Sequence, residues 1–435
     1  MTQAFPLVTR RGFLGSAAAL GALALTGTLA GCSAGSSVSG NPDELVLWYW
    51  DRSLNPKFLK QAAAAIPGSP GHRILPDILG TVSYDTKFRT TLAGHAFIPD
   101  IVALNSNVSL YFPDETLFVD LDTLGGRALK SDYYDWKWSL GVTPSGRHCF
   151  WPIDTGPTGF FYREDIFAKA GLPTEPADVF AAIRTWDDYI DLGKQLRTRT
   201  GAAIMINGTA IFNQYVNASA ERYFDRDDKP LYEKPGNSIR AAWDTAVKAI
   251  DARVTGNLQS STDQNAGWVS GKAAAHIEGA WWTQVLKDTA PSTSGKWRIT
   301  QQPARPGNSG GSFLAVPTTC KDPQAAFDFI SWMTGANNQA QSYNDIQLFP
   351  STPASFTSGI MRNPGTFFGP QNPLDYFSGA AKNVPVSYIS TYEAQVTAFA
   401  TEITNVEATA KNPDAAWRDA VDQTNRILEK RGVKA

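Results

Sequence analysis

The sequence is poor in the residues that most often hold metal ions. It contains three cysteines and four histidines among 435 residues. The histidines stand singly along the chain, at His72, His95, His148 and His276. A metal site needs several such ligands at characteristic spacings, and none of these spacings is present. We therefore expect no metal site and no cofactor.

The chain also lacks an excess of charge of either sign. Its 39 lysines and arginines nearly balance 41 aspartates and glutamates, for a net charge of -2. Proteins that bind nucleic acid or a membrane surface through charge carry clustered basic residues. The balance argues against a nucleic-acid partner. With 43% hydrophobic residues, a chain of this length can instead bury the cores of two globular units.

The first thirty residues have the pattern of an export signal. Arg10 and Arg11 form a twin-arginine pair, and a charge-free apolar run follows from Ala17 to Ala30. A basic region followed by an apolar region is typical of a signal peptide, and the paired arginines indicate the twin-arginine route. The alternative is a retained membrane anchor, but the run is short for a bilayer span.

The signal ends in Leu29-Ala30-Gly31-Cys32, which resembles the bacterial lipoprotein box. In that box a cysteine receives a lipid before cleavage, and Cys32 occupies this position. We predict a signal peptide over residues 1–31, a flexible tether over 32–42, and a mature protein that its lipid anchor holds at the outer face of the cell membrane.

Two further cysteines, Cys149 and Cys320, would lie in an oxidising compartment. Such a compartment permits a disulfide bond between them. Two partly buried free thiols are the alternative. The sequence leaves both open.

The mature chain alternates between strand and helix patterns. Glu44–Trp50 and Pro99–Leu104 are apolar runs typical of buried strands, and Tyr84, Phe88 and Leu92 share one face of a helix between them. This order predicts an α/β architecture with a parallel sheet. Three later helices are predicted from their start signals, at Thr185 with Asp188, at Asp322-Pro323 and at Asn412-Pro413.

Gly307–Gly311 reads GNSGG and resembles the loop that carries the reactive serine of trypsin-like proteases. That reading makes Ser309 a nucleophile, with His95 as its base and Asp120 or Asp154 as its acid. Trypsin-like enzymes are built from antiparallel barrels, whereas several helix-period segments separate His95 from Ser309. The pattern therefore favours a glycine-rich turn that leads into a strand.

Four groups of segments resemble the carbohydrate-binding solute-binding proteins of bacterial ABC transporters, which include the maltose-binding proteins. They are Trp48–Asp51, Pro99–Val102, the block from Phe150 to Leu172 with Thr185–Asp188 after it, and Gly271–Ala275 with Gly279–Trp281 and Gly310–Pro317. Each segment alone is weak evidence. Their order over most of the mature chain makes the resemblance specific.

The resemblance implies an α/β, two-lobe periplasmic-binding-protein-like fold of type II with a hinge of several crossings. Lobe 1 is expected over residues 43–151 and 307–348, and lobe 2 over 152–306 and 349–435. It implies a sugar, most simply a small oligosaccharide, bound between the lobes and delivered to the permease subunits of an ABC importer. A monomer that performs no catalysis is expected.

Sugar binding needs aromatic platforms and fixed hydrogen-bonding groups, and ligands sit beyond the carboxyl ends of strands in open α/β sheets. The predicted ligand-binding residues are Trp50, Asp51, Asn105, Ser106, Asp154, Asn213, Trp281, Trp282, Gly311 and Ser312. A polyol, a glycerophosphodiester or a peptide is the alternative ligand. A phosphate would require a cleft arginine, for which Arg362 is the candidate.

Overall fold

The computed structural model describes residues 40–80, 83–363 and 365–433. The predicted signal peptide, Cys32 and most of the tether therefore lie outside the described residues. The strands are β1 (Glu44–Trp50), β2 (Arg73–Leu79), β3 (Ile101–Leu104), β4 (Trp151–Pro152), β5 (Thr158–Arg163), β6 (Ala275–Gly279), β7 (Trp297–Thr300) and β8 (Phe313–Ala315).

Helices surround these strands. They are α1 (Pro56–Ala62), α2 (Tyr84–Ala93), α3 (Asp135–Leu140), α4 (Glu164–Lys169), α5 (Pro176–Ala181), α6 (Trp186–Thr200), α7 (Gly208–Asn217), α8 (Ser238–Asp251), α9 (Ser261–Ser270), α10 (Trp282–Thr289), α11 (Pro323–Met333), α12 (Ala336–Ile346), α13 (Pro373–Lys382), α14 (Ala398–Thr409) and α15 (Pro413–Glu429). Short 3-10 turns join them, including Val108–Leu117 and Glu393–Gln395.

The first sheet has the strand order β2-β1-β3-β8-β4. β1 is parallel to both of its neighbours, and its residues Leu45 to Trp48 are almost fully buried. A strand with helices on both faces of its sheet is apolar throughout, which explains the continuous run in the sequence. The predicted parallel sheet is wrong for the rest of this layer, because β8 runs antiparallel to both β3 and β4.

The second sheet has the order β6-β5-β7, and both pairings are antiparallel. One large apolar core covers it, and the largest fully buried side chains there include Tyr162, Trp243 and Trp282. The first sheet has its own two apolar clusters, one on each face. Two sheets with separate cores give the two-lobe α/β fold.

The chain passes between the sheets at residues 153–157 and again at 301–312, since β4 and β8 lie in the first sheet and β5 and β7 in the second. Asp154 also pairs with Pro350 through an isolated backbone bridge, so a third stretch of chain lies beside the first passage. The predicted lobe boundaries stay a prediction. Trp136, expected in lobe 1, packs in the core of the second sheet and donates to the carbonyl of Ala381.

The predicted helix starts are confirmed by their hydrogen bonds. The Thr185 hydroxyl accepts from the Asp188 N–H at 3.1 Å, and the Asp188 carboxylate accepts from the Thr185 N–H at 3.0 Å. This capping box satisfies two N–H groups that the first turn of α6 leaves free. Asp322 and Asn412 likewise accept N–H groups at the starts of α11 and α15.

Cys149 and Cys320 are both buried free thiols. They belong to clusters on opposite faces of the first sheet. The alternative of two free thiols therefore holds, and the disulfide is not formed. In residues 40–80, 83–363 and 365–433 we also find no helix that is both long and apolar enough to span a bilayer.

Candidate functional site

A cavity of about 750 Å³ lies between the carboxyl end of β3 and the elements around the second sheet. Ser106 and Asn107, which follow β3, line one side, and the opposite wall comes from α7, α9 and β6. The α13–α14 connection, defined here as residues 383–397, closes a further side. Cavities of this size are typical of small-molecule sites.

Trp281 is the most exposed indole in the wall of this cavity and is positioned by a glycine-rich loop. Its Nε1–H donates to the Ser309 carbonyl at 2.9 Å. A Cβ atom at Gly310 would lie 2.9 Å from that same Nε1, and one at Gly279 only 2.7 Å from it. Glycine is required at both positions because only a residue without a side chain lets the backbone approach the indole so closely.

Glu278 stands at the end of β6 beside Trp281 and lines the cavity. Burial raises the pKa of its carboxyl group, while hydrogen bonding from Ser309, from the Gly279 N–H and from Gln214 lowers it. The Gly279 N–H donates to the Glu278 Oε1 at 2.7 Å. The Ser309 hydroxyl thus donates a hydrogen bond to the Glu278 carboxylate.

His276 lies two residues before Glu278 on β6 and also borders the cavity. Its ring packs against Trp268 and Trp282 at centroid distances of 5.7 and 4.9 Å. Burial in this aromatic cluster lowers the pKa of His276 to about 3. The imidazole is therefore neutral at physiological pH and adds no charge to the site.

Arg222 and Glu393 form an ion pair at the cavity wall, with 3.0 Å between Nε and Oε1. Their side chains are 21% and 9% exposed. Burial raises the pKa of the Glu393 carboxyl group and the nearby guanidinium lowers it. A short distance alone does not make a hydrogen bond, and the Nε of Arg222 and both carboxylate oxygens have no hydrogen-bond partner.

Several buried polar atoms of the cavity wall are unsatisfied in the same way. Among the described residues, four that line the cavity hold five buried side-chain atoms without a hydrogen-bond partner: Gln214 Oε1, Arg222 Nε, Trp268 Nε1, and Oε1 and Oε2 of Glu393. Leaving such a group unpaired costs about 1–3 kcal/mol. Arg222 Nε and Glu393 Oε1 face each other as an ion pair, so two acceptors, Gln214 Oε1 and Glu393 Oε2, and one donor, Trp268 Nε1, are left to suit a ligand that carries many hydroxyl groups.

The structure brings four of the predicted ligand-binding residues to this cavity: Ser106, Asn213, Trp281 and Trp282. Trp282 is only 2% exposed and fills the core of the second sheet, so of the two predicted tryptophans Trp281 is the one whose ring a ligand can reach. The other predicted residues do not line the cavity; these are Trp50, Asp51, Asn105, Asp154, Gly311 and Ser312.

Each of these six is engaged elsewhere or points away. Trp50 packs edge-on against Tyr84 at 5.1 Å, and Asp51 is exposed beside it. The Asn105 side chain accepts from the neighbouring Ser106 N–H at 2.7 Å. Trp50 ends β1, Asp51 follows it and Asn105 follows β3, but none of these three lines the cavity, whereas their predicted neighbour Ser106 does.

Asp154 and the glycine loop were expected to offer hydrogen bonds to a ligand, and they satisfy each other instead. The Asp154 Oδ1 accepts from the Ser312 N–H at 2.6 Å. Asp154 is 6% exposed and Ser312 8% exposed. Gly311, at φ 87°, packs so closely that a Cβ would lie 2.8 Å from the Asp154 carbonyl oxygen. This cluster supports the passages between the sheets rather than the cavity wall.

Most polar residues of the cavity wall were not among the residues predicted from the sequence. His276 and Glu278 alternate on β6, and alternation places them on one face of the strand, so this period-2 signal was available. Gln214 follows the predicted Asn213 on α7. No local signal links Arg222 to Glu393, because they are distant in sequence and meet only in the fold.

The residues proposed for the alternative functions lie away from this cavity. His95 lines a separate depression with Tyr111 and Leu117, so it cannot serve Ser309 as a base. Arg362 lines another depression with Asn344 and is not a cleft arginine. The described residues contain no group of three or more histidine, cysteine or acidic side chains that could hold a metal ion.

Comparison with known proteins identifies the family of this chain. The lactose-binding protein of Rhizobium radiobacter is 25% identical over 363 residues, which is 79% of this chain and 83% of that protein. A solved extracellular solute-binding protein of family 1 superposes with a TM-score of 0.81 at 24% identity, covering 88% of this chain and 99% of the other.

A binding protein from B. animalis subsp. lactis Bl-04, solved in complex with beta-1,6-galactobiose, superposes with a TM-score of 0.71 at 21% identity, over 91% of this chain and 100% of that one. The sequence pattern described as bacterial extracellular solute-binding protein matches residues 79–368. These proteins bind solutes and are not enzymes, which excludes the serine-hydrolase reading. The chain belongs to the family of bacterial extracellular solute-binding proteins.

Proposed function

We propose that this protein is the sugar-binding receptor of an ABC importer. The observation that carries the proposal is the cavity that combines the Trp281 indole with buried polar atoms of Gln214, Trp268 and Glu393 that lack hydrogen-bond partners. Pyranose and furanose rings have apolar C–H faces and a rim of hydroxyl groups, so they require both features at once. Relatives named for lactose and for arabinooligosaccharides support the same ligand class.

The cavity volume favours a small oligosaccharide over a single sugar unit. At about 750 Å³ it lies in the upper part of the range for small-molecule sites. Ser106, Asn213 and Trp281 are the predicted residues that we propose as direct ligand contacts. Trp282 supports Trp281 from the core, and Asp154, Gly311 and Ser312 stabilise the junction between the lobes.

We further propose that sugar binding closes the two lobes and that the closed form delivers the sugar to the permease. Hinges need a few extended residues between rigid bodies, and the passages at 153–157 and 301–312 have this character. Lobe 1 over residues 43–151 and 307–348, and lobe 2 over 152–306 and 349–435, is the proposed division. A monomer is the proposed functional unit.

The proposed location is the outer face of the cell membrane, reached through the twin-arginine route and held by a lipid on Cys32. Labelling cells with radioactive palmitate tests the anchor: the wild type should be labelled and Cys32→Ala should not. Replacing Arg10 and Arg11 together by lysine should leave an uncleaved precursor inside the cell. Label on Cys32→Ala would contradict the lipid attachment.

A ligand screen tests the sugar proposal. Lactose, beta-1,6-galactobiose and arabinobiose are the first probes, followed by polyols and glycerophosphodiesters as non-sugar controls. We expect a rise in Tm with at least one sugar and none with the controls. A rise with a glycerophosphodiester alone would contradict the proposal.

A further inference from the structure

The α13–α14 connection forms one side of the cavity with Ile389, Glu393 and Ala394. It touches both lobes of the fold. Ile389 packs against the apolar cluster of the first sheet that contains Phe112, and the Glu393–Gln395 turn packs against Val108–Leu117.

Contacts on the other side tie the connection to the loop that follows α7. The Tyr388 hydroxyl donates to Asp228 Oδ1 at 2.7 Å, and the Tyr392 ring lies 6.2 Å from that of Phe224. Together with Arg222, these contacts fix the backbone on both sides of Glu393. Its carboxylate is therefore held in place at the cavity wall before any ligand arrives.

The environment of Glu393 is unusual for a structural ion pair. Its side chain is 9% exposed and its Oε1 lies 3.0 Å from the Arg222 Nε, and the Ser390 backbone N–H also lowers the pKa of the carboxyl group, yet no contact of either oxygen has good hydrogen-bond geometry. A buried ion pair that serves stability alone normally has its remaining lone pairs satisfied. Because Oε1 faces the Arg222 guanidinium, this rigid carboxylate keeps acceptor capacity chiefly at Oε2, which suits a hydroxyl group of a sugar ring.

The charged residues that line the cavity also indicate an uncharged sugar. Among the described lining residues, Arg222 is the one arginine or lysine, while Glu278 and Glu393 are both carboxylates. The neutral His276 adds no positive charge. An acidic sugar would therefore bring a further carboxylate into a desolvated site with no free cation to pair with it.

We propose that Glu393, oriented by Arg222, is a specificity-determining ligand contact: its carboxylate accepts a hydrogen bond from a hydroxyl group of the sugar and, with Glu278, restricts the site to uncharged sugars. The inference rests on the proposed sugar-binding function.

Calorimetric titration of the full chain with the sugar that binds in the screen tests the contact. We expect Glu393→Ala to weaken binding at least tenfold. Glu402→Ala is a matched control, because the Glu402 side chain is also 9% exposed and paired with Lys411 but does not line the cavity. Its affinity should stay within twofold of the wild type.

Loss of affinity in Glu393→Ala alone would also follow if the residue merely held the connection in place. Monodeoxy analogues of the bound sugar separate the two roles. The wild type should lose affinity for the analogue that lacks the contacted hydroxyl group, and Glu393→Ala should show no further loss for it. Equal losses in both proteins for every analogue would overturn the contact.

The preference for uncharged sugars is tested by competition between the disaccharide that binds in the screen and the same disaccharide with one ring oxidised to a uronate. The wild type should prefer the neutral disaccharide, and Glu393→Gln should narrow that preference. A uronate that binds as tightly as its neutral partner would overturn the preference. A wild-type protein that binds no sugar would overturn the proposed function itself, which is a different result from a sugar-binding protein indifferent to Glu393.

Discussion

The ammonium group of Lys137 lies 3.4 Å from the centroid of the Phe313 ring, in the interior beside the passages that join the two sheets. Lys137 is fully buried, and its Nζ has no hydrogen-bond partner. Burial lowers the pKa of Lys137 to about 7, and the nearby Asp154 carboxylate opposes that shift. The face of the Phe313 ring and the Asp154 carboxylate stabilise the charged form of the buried lysine.

This lysine should make stability depend on pH above neutrality. Its folded pKa is about 7, against the ordinary 10.5, so the unfolded chain binds more protons between these values and stability rises with pH across that window. The slope approaches about 1.4 kcal/mol per pH unit. Below pH 7 both states are protonated, and the contribution is flat.

Urea denaturation of the wild type and Lys137→Met from pH 6 to 10 measures this slope. The difference in free energy of unfolding should increase in favour of the wild type as pH rises above 7. The double variant Lys137→Met with Asp154→Asn also removes the carboxylate. Any dependence of its free energy of unfolding on pH therefore arises from other groups. Parallel curves for the wild type and Lys137→Met would contradict a depressed lysine pKa.

Gly310→Ala should reduce the affinity for sugar as well as the free energy of unfolding. Its new Cβ would lie 2.9 Å from Nε1 of Trp281, so the indole must leave the Ser309 carbonyl. Gly146→Ala is the control, because Gly146 also has positive φ, at 92°, with no atom within 4 Å of an added Cβ. Backbone strain should lower the free energy of unfolding of both variants by about 1 kcal/mol. Only Gly310→Ala should also lose affinity for the sugar. Calorimetry and thermal denaturation together measure both effects.

Trp281→Ala should reduce sugar affinity about tenfold or more, equivalent to about 1.4 kcal/mol. Trp281→Phe keeps a ring but loses the hydrogen bond to Ser309, so an intermediate affinity is expected. Trp417, which packs against Trp243 at 5.2 Å away from the cavity, supplies a control. Trp417→Ala should lower Tm and leave the affinity unchanged. Equal affinities of Trp281→Ala and the wild type would show that the Trp281 indole does not contact the sugar.

The two thiols of the described chain should be unreactive until the protein unfolds. Burial raises the pKa of Cys149 to about 11 and that of Cys320 to about 12. The thiolate is the reactive form, so neither should be alkylated by iodoacetamide at pH 8 in the native state. Peptide mass spectrometry should find both alkylated after unfolding without a reducing agent. Alkylation that requires prior reduction would indicate a disulfide instead.

Local features of this fold were predictable from sequence. β1 could be recognised because a strand covered on both faces must be apolar at every position, and α6 because its capping box is a local hydrogen-bonding pattern. The direction of β8 could not be recognised. It is set by the path of the chain back from the second sheet, which no local periodicity encodes.

The candidate site likewise contains residues that local sequence signals predicted and residues that only the fold brings together. Trp281 was predicted from a motif that lies within a few residues of it, and Ser106 from its place after a strand end. Trp50 and Asp51 satisfy the same strand-end rule, yet they miss the cavity because β3, not β1, borders the junction with the second lobe. The Arg222–Glu393 pair depends on tertiary packing and had no signature in the sequence.

The most direct test of sugar binding at this cavity is calorimetric titration of the purified chain with lactose, beta-1,6-galactobiose and arabinobiose, with Trp281→Ala run in parallel. We predict saturable binding of at least one of these sugars at one site per monomer, weakened about tenfold or more in the variant. Absence of binding to every sugar, or binding that Trp281→Ala leaves unchanged, would contradict a sugar receptor built around this cavity.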